Sequence, residues 1–330
     1  MSTDRSRPQA LKPRITGWPM LAKAAALFLG FILPWLAGAG GAAAQEAGEM
    51  RATHQPAAAQ PHELAMQRAA SVELDLRRLP QIKPRKFERP ELEEPDPDPV
   101  ALPGVVQQAE LVPQGNVPQA AAPAPTANFD GLDFATWGAG HPPDPVGDVG
   151  PTYFIQAMNT AIGIYSKSGS QVAAFTFDSF MSQGSFGNLC DTNNFGDPVV
   201  LYDTFEDRWI ITDFAFEIDG SGNIVNPPGA FQCFAVSKSG DPVSGGWNFY
   251  SIHIANGLGD YPKFGIWPDG LYMSANVFGF PSGAPFQNPR VFALNKAQMY
   301  AGSPTVQVVT FDAPAADFAL LPSKIGRAHV

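Results

Sequence analysis

The sequence predicts an all-β protein, an incomplete β-propeller of about three four-stranded antiparallel blades that follows a disordered linker. Three stretches share one plan: each opens on Gly-Asp, passes through two short apolar runs and closes with a hairpin whose turn carries a lysine. Repeats of about 40 to 60 residues with four strand-like runs are typical of propeller blades. Gly-Asp and Pro-Asp turn signals separate the runs, and none of the three stretches has a convincing helical period.

The predicted blades span about residues 143–177, 196–254 and 260–311, within a domain of residues 128–324. Three blades do not close a ring, because propellers usually have about four to eight. The tail IGRAHV, residues 325–330, matches one reading frame of a common sequencing adapter. We therefore leave it out of the fold and expect the natural protein to continue with further blades.

Residues 1–44 have the three parts of a secretory signal: a basic region, an apolar run at 24–38 and small residues up to Ala44. The apolar run is shorter than the roughly 20 residues that span a bilayer, so the pattern predicts export and cleavage, with an uncleaved anchor as the alternative. Residues 45–127 are rich in Ala, Pro and acidic residues and predict a disordered linker. Within them, residues 63–79 have a loose apolar period that suggests a short, transient helix.

The charge and the motifs exclude several function classes. The net charge is −10, which argues against nucleic acid as a partner. P-loop, GxGxxG, GxSxG and HExxH patterns do not occur in the sequence. The only link to a membrane is the export signal, and the expected location is the cell surface or the outside of a bacterium.

The two cysteines predict a disulfide bond. An even number of cysteines in an exported protein favours a bridge, and Cys190 and Cys233 belong to the same repeat. Closing that loop is worth roughly 3 to 4.7 kcal/mol on the chain-entropy model. Two free buried thiols are the alternative.

Three aspartates follow the shared Gly-Asp signal: Asp148, Asp197 and Asp260. Each precedes the predicted innermost strand of its blade, so we expect them, with Lys263, to face the mouth of a central channel and form a ligand-binding site. Converging carboxylates can bind Ca²⁺ or act as a general acid and base, although each aspartate can equally cap its own turn. No catalytic residue, metal ligand or required cofactor is assigned, and Ca²⁺ is the one candidate ion.

Four phrases carry a resemblance to a known group of proteins: PPDPVGDVGPTYFIQAMN, GDPVVLYDTFEDRWIITDFAF, QCFAVSKSGDPVSGGW and DYPKFGIWPDGLYMSANVF. Together they resemble the propeller-like region of large secreted, mostly uncharacterised bacterial proteins, in which the propeller is often linked to adhesion-type or immunoglobulin-like modules. The resemblance implies the fold and the export. It brings no catalytic residues.

The turn SKSGDPVSGGW is similar to the Asp-box of sialidase-type propellers, with Ser239, Asp241, Gly245 and Trp247 in the key places and a changed spacing. In such turns the carboxylate accepts backbone N–H groups and the Trp packs in the core, so the role is structural. Sialidase chemistry needs an arginine cluster, and residues 128–324 hold only Arg208 and Arg290.

The sequence therefore favours a secreted scaffold that binds an extracellular glycan or protein ligand, without assigned catalysis. One alternative is a hydrolase that acts on polysaccharide, with part of its catalytic acids in missing blades. A second alternative is a structural spacer at the cell surface. The sequence leaves the oligomeric state open.

Overall fold

The computed structural model describes residues 60–83, 124–138, 142–280 and 285–323, which hold two antiparallel sheets. The predicted signal peptide, most of the predicted linker and the adapter-like tail lie outside the described residues. Within the described ranges, no helix is long and apolar enough to cross a membrane.

The smaller sheet has four strands, paired antiparallel in chain order. They are β2 (Val146–Val149), β3 (Tyr153–Met158), β4 (Ala161–Ser166) and β5 (Gln171–Thr176). A short helix, α1 (Phe177–Met181), follows directly, and the side chain of Thr176 caps it by accepting the backbone N–H of Ser179.

The larger sheet has nine strands in the order β10-β11-β12-β13-β1-β9-β8-β7-β6. In chain order these strands are β1 (His62–Val72), β6 (Asn194–Asp203), β7 (Arg208–Ala215), β8 (Ala230–Ser237), β9 (Trp247–Ile254), β10 (Leu258–Ile266), β11 (Leu271–Phe278), β12 (Phe286–Leu294) and β13 (Thr305–Asp312). A second short helix, α2 (Lys296–Tyr300), lies between β12 and β13. The sheet is barrel-like and nearly closed, because the backbone N–H of Tyr261 on β10 donates to Asp197 on β6 at 3.1 Å.

The prediction of separate propeller blades is wrong, although the all-β class is confirmed. Strand β1 pairs with β13 through its first half, from His62 to Gln67, and with β9 through its second half, from Arg68 to Val72. It therefore joins the second and third predicted blades into one continuous sheet. In a propeller blade the outermost strand is an edge strand that pairs on one side only. Here β1 pairs with both strands that would have been such edges, β9 and β13.

The same strand corrects the prediction for the linker. Residues 62–72 are not a disordered spacer or a helix, because β1 is paired on both sides and its Met66 is buried. The loose apolar period of this segment carried too little information to identify its partners. Those partners are about 180 and 240 positions away in the chain, a distance at which pairing leaves no local signal.

Two clusters of apolar side chains form most of the core. One packs the smaller sheet and α1 against the outer face of strands β7 to β9, with Phe180 contacting Trp247 and Phe249 edge to face. The other lies inside the larger sheet, where residues such as Phe234 and Tyr250 meet Met273 and Phe292. These clusters hold the sheets and therefore the polar sites described next.

Candidate functional site

The three predicted aspartates do not converge on one point. The carboxylates of Asp197 and Asp260 meet where β6 approaches β10, since the backbone N–H of Tyr261 donates to both, at 3.1 and 3.0 Å. Asp148 instead accepts the backbone N–H groups of Val149 and Tyr202, each at 2.8 Å. In the part of the chain that the structure describes, no group of three His, Cys, Asp or Glu side chains is placed to hold a metal.

The backbone shows why the Gly-Asp alignment misled. Asp144, Asp197 and Tyr261 have φ of 45°, 45° and 51°, and each directly precedes a proline. This left-handed residue before proline is the equivalent position in the three repeats. The aspartate of the Gly-Asp signal therefore lies four residues after the equivalent position in the first repeat and one residue before it in the third. Asn159 joins the first two turns, because its Nδ2 donates to Asp144 at 2.9 Å and its Oδ1 accepts from the N–H of Asp197 at 3.2 Å.

Lys263 lies on β10 two residues after Tyr261, and its ammonium group faces the ring of that tyrosine. Its Nζ is 3.4 Å from the ring centroid of Tyr261, a cation–π contact. Asp197, Asp260, Tyr261 and Lys263 therefore form one polar group at the β6–β10 edge. It lies at the junction of two strands and not at a channel, because the described sheets form no ring of blades.

The predicted disulfide is present. Cys190 and Cys233 are bonded, with Cα atoms 5.8 Å apart and 43 positions between them in the chain. Cys190 lies in the short 3₁₀ turn Leu189–Asp191, and Cys233 lies in the middle of β8. The bond therefore ties the segment between the two sheets to the larger sheet.

The turn between β8 and β9 is closed by the side chain of Asp241. The carboxylate of Asp241 accepts the backbone N–H of Val243 at 2.9 Å and the hydroxyl of Ser244 at 2.6 Å. Burial alone raises the pKa of Asp241, but the hydrogen bonds from Ser244 and Val243 outweigh it and the pKa is lowered. Trp247 is fully buried and donates its indole N–H to the carbonyl of Pro242 at 3.0 Å.

Two further residues complete this turn. The hydroxyl of Ser239 accepts the backbone N–H of Asp241 at 3.3 Å. A Cβ at Gly245 would lie 2.4 Å from the carbonyl oxygen of Asp241, so only glycine fits there. The hydrogen bonds of Ser239, Asp241 and Trp247 described here all close the turn on itself, which supports a structural role.

A buried ion pair was not visible in the sequence. Lys296 of α2 and Asp203 of β6 are 2% and 1% exposed, and Nζ lies 2.7 Å from Oδ2. The hydroxyl of Tyr300 donates to the same oxygen at 2.7 Å, and the backbone N–H of Phe205 donates to Oδ1 at 2.8 Å. Burial and the neighbouring Asp203 carboxylate raise the pKa of Tyr300. Because 93 positions separate the pair, no local pattern could have revealed it.

A second buried carboxylate, Asp213 of β7, has no such partners. It is 0% exposed, and neither of its oxygens has a hydrogen-bond partner among the described residues. Burial, and to a lesser extent the negative charge of Asp178, raise the pKa of Asp213 well above its ordinary value. The one signal of this site in the sequence is a charged residue within the apolar run of β7.

A cleft lies where the chain beyond β13 returns to β10 and β11. Its volume is about 430 Å³, and it is lined by Trp267, Asp269, Tyr272, Ser274, Val291 and residues 320–323. The returning segment is held by two hydrogen bonds, from Trp267 Nε1 to the carbonyl of Ser323 at 2.8 Å and from Ser274 Oγ to the carbonyl of Leu320. The hydroxyl of Tyr272 donates to Asp269 at 3.0 Å, so the cleft combines a carboxylate with the aromatic rings of Trp267 and Tyr272.

Comparison with known proteins identifies no relative. The chain matches no protein-family model, no curated protein and no solved structure.

Proposed function

We propose that this chain is an exported binding protein whose cleft at Trp267 takes a carbohydrate ligand. The signal-like N-terminus and the Cys190–Cys233 bond support an oxidising, extracytoplasmic location. The observation that carries the binding role is the cleft itself, which combines aromatic rings with one carboxylate.

The chemistry of this cleft suits a sugar. The apolar C–H face of a sugar ring packs on an aromatic side chain, here Trp267 or Tyr272, and the sugar hydroxyls donate to a carboxylate, here Asp269. A cleft of about 430 Å³ is within the range of small-ligand sites. A mostly apolar wall with a few polar groups that orient the ligand is typical of small-ligand sites.

A glycan array probed with the full chain tests this proposal. We expect binding to a restricted set of glycans, with at least tenfold weaker affinity for Trp267→Ala and for Asp269→Asn. Asp269 is exposed and does not hold the returning segment, so its variant separates ligand contact from a disturbed fold. Trp137→Ala is the matched control, because Trp137 is also partly buried but packs in a small cluster with Leu132 and Met158.

The proposal is overturned if no glycan binds, or if the Trp267 and Asp269 variants bind as well as the Trp137 variant does. A structural spacer would give the first of these results.

A polysaccharide hydrolase is the second candidate, because the carboxylates of Asp197 and Asp260 lie close together. Both accept the same N–H, so the bonded oxygens are within about 6 Å of each other. Paired carboxylates roughly 5 to 9.5 Å apart carry out glycoside hydrolysis. Release of reducing sugar that disappears in Asp260→Asn would favour this candidate, and binding without release would favour the first.

A further inference from the structure

An uncompensated carboxylate lies inside the protein beside the disulfide. Asp213 is opposite Cys233 in the β7–β8 register, so the two side chains leave the same face of the sheet. The residue is 0% exposed, and both carboxylate oxygens lack a hydrogen-bond partner in the described part of the chain. A buried carboxylate without a partner costs several kcal/mol unless it is neutralised or coordinates a metal.

Asn194 of β6 supplies a second buried oxygen on this face of the sheet. It is opposite Ala215 of β7, two residues from Asp213 and on the same face. Its Nδ2 donates to Asp178 Oδ1 at 2.9 Å and to the carbonyl of Cys190 at 3.0 Å. These two bonds fix the amide, and they leave Oδ1 buried without a partner among the residues that the structure describes.

Asp178 of α1 supplies the second negative charge. Its carboxylate is tied to Asn194 through both the backbone N–H, at 3.2 Å, and Nδ2, at 2.9 Å. Asp178 is therefore joined to the face of the sheet that carries Asp213, because Asn194 pairs with β7 two residues from Asp213. Asp178 itself is exposed, so this end of the group reaches solvent.

We propose that Asp213, Asp178 and Asn194 form a binding site for a Ca²⁺ ion. Every donor is an oxygen, and carboxylates with an amide oxygen are the ligands that Ca²⁺ prefers. Two carboxylates neutralise the ion, and water completes a coordination shell of about six to eight oxygens. The ion supplies the positive charge that Asp213 lacks. The site differs from the acidic pair at the β6–β10 edge and does not depend on the proposed glycan cleft.

Calcium titration of the EDTA-treated full chain tests the site directly. We expect heat of binding by calorimetry and a rise in Tm of about 3 to 6 °C at tenfold excess over Kd, with a much smaller effect of Mg²⁺. Absence of any response up to about 10 mM Ca²⁺, beyond the affinity range of extracellular calcium modules, overturns the proposal.

Variants locate the ion. Asp213→Asn and Asp178→Asn should each weaken the affinity for Ca²⁺ at least tenfold. A cooperative melt of each variant in EDTA shows that it still folds. Asp219→Asn is the matched control, because Asp219 is an exposed aspartate that accepts the N–H groups of Ser221 and Asn223 in the loop after β7. A response that survives in Asp213→Asn, or that is lost in Asp219→Asn, places the ion elsewhere and also overturns the proposal.

Discussion

Asp203 and Asp213 lie on adjacent strands of the same sheet and are buried alike, yet their surroundings are opposite. Asp203 has an ammonium group, a phenol hydroxyl and a backbone N–H within 2.8 Å. Asp213 has no hydrogen-bond partner among the described residues, and the charge that raises its pKa together with burial is another carboxylate, Asp178. Burial alone therefore says little about the role of a charged side chain, and the partners decide it.

The two regions differ in where the compensating charge comes from. At Asp203 the chain supplies it, because α2 places Lys296 against the carboxylate, with the rings of Phe205 and Tyr300 at 5.3 and 5.7 Å from Nζ. At Asp213 the neighbouring segments contribute Asn194, Asp178 and the disulfide, none of which carries a positive charge. The first region is complete in itself, and the second is consistent with an ion taken from solvent.

Breaking the buried ion pair of Lys296 and Asp203 should give the largest loss in the free energy of unfolding. Lys296→Met leaves Asp203 buried with its charge uncompensated, and we expect a loss of about 3 to 5 kcal/mol in the free energy of unfolding. Urea denaturation measures it. A double variant, Asp203→Asn with Lys296→Met, should recover part of the loss, and a single variant within about 1 kcal/mol of the wild type would contradict this account of the pair.

Removing the disulfide should give the next largest loss in the free energy of unfolding, and it should affect the region of Asp213 but not the Asp203–Lys296 pair. Replacing both cysteines by alanine should cost about 2 to 4 kcal/mol, because the bond closes a loop of 43 positions. The calcium response should weaken, since Cys190 anchors Asn194 through its carbonyl. The cost of Lys296→Met should be the same in this background, and a change in that cost would show that the two regions are coupled.

Matched substitutions compare the two carboxylates most directly. Asp203→Asn should destabilise the protein by roughly 2 to 3 kcal/mol, because it removes the charge that Lys296 and Tyr300 face. Asp213→Asn, measured in EDTA, should lie within about 1 kcal/mol of the wild type or be more stable. Equal losses in the two variants would show that Asp213 has a partner after all.

The smallest change in stability is expected at Asp241, whose carboxylate accepts hydrogen bonds from its own turn. Asp241→Asn should cost about 1 kcal/mol at pH 7. The folded-state pKa is lowered below the usual 3.8, so below that pH the unfolded state binds more protons and the stabilisation is lost as pH falls. Thermal melts should therefore converge for the variant and the wild type in acid. A difference that persists there would mean that shape, and not charge, gives the turn its stability.

Local signals predicted the strands, the disulfide and the turn well. The three predicted spans of four strands each correspond to twelve observed strands, β2 to β13, because short-range pattern determines where a strand begins and ends. The pairing of Cys190 with Cys233 followed from their number and the export signal. The resemblance of the turn to an Asp-box implied that the Asp241 carboxylate accepts backbone N–H groups, and it accepts that of Val243.

The assembly of those strands followed from contacts that no local pattern records. β1 comes from a segment read as linker, and only its pairing with β9 and β13 turned two predicted blades into one nearly closed sheet. The alignment of the Gly-Asp signals placed Asp148 with Asp197 and Asp260, whereas the backbone conformation groups Asp197 with Asp144 and Tyr261.

By itself the sequence determined the all-β class, the positions of most strands and the covalent bond between its two cysteines. Only the tertiary structure decided how the sheets are joined, which carboxylates meet, and that Asp203 is paired whereas Asp213 is not. The physical reason is the distance along the chain over which each kind of interaction acts. Strand and turn preferences act over a few residues, whereas strand pairing and charge compensation depend on groups that only folding brings within hydrogen-bond distance.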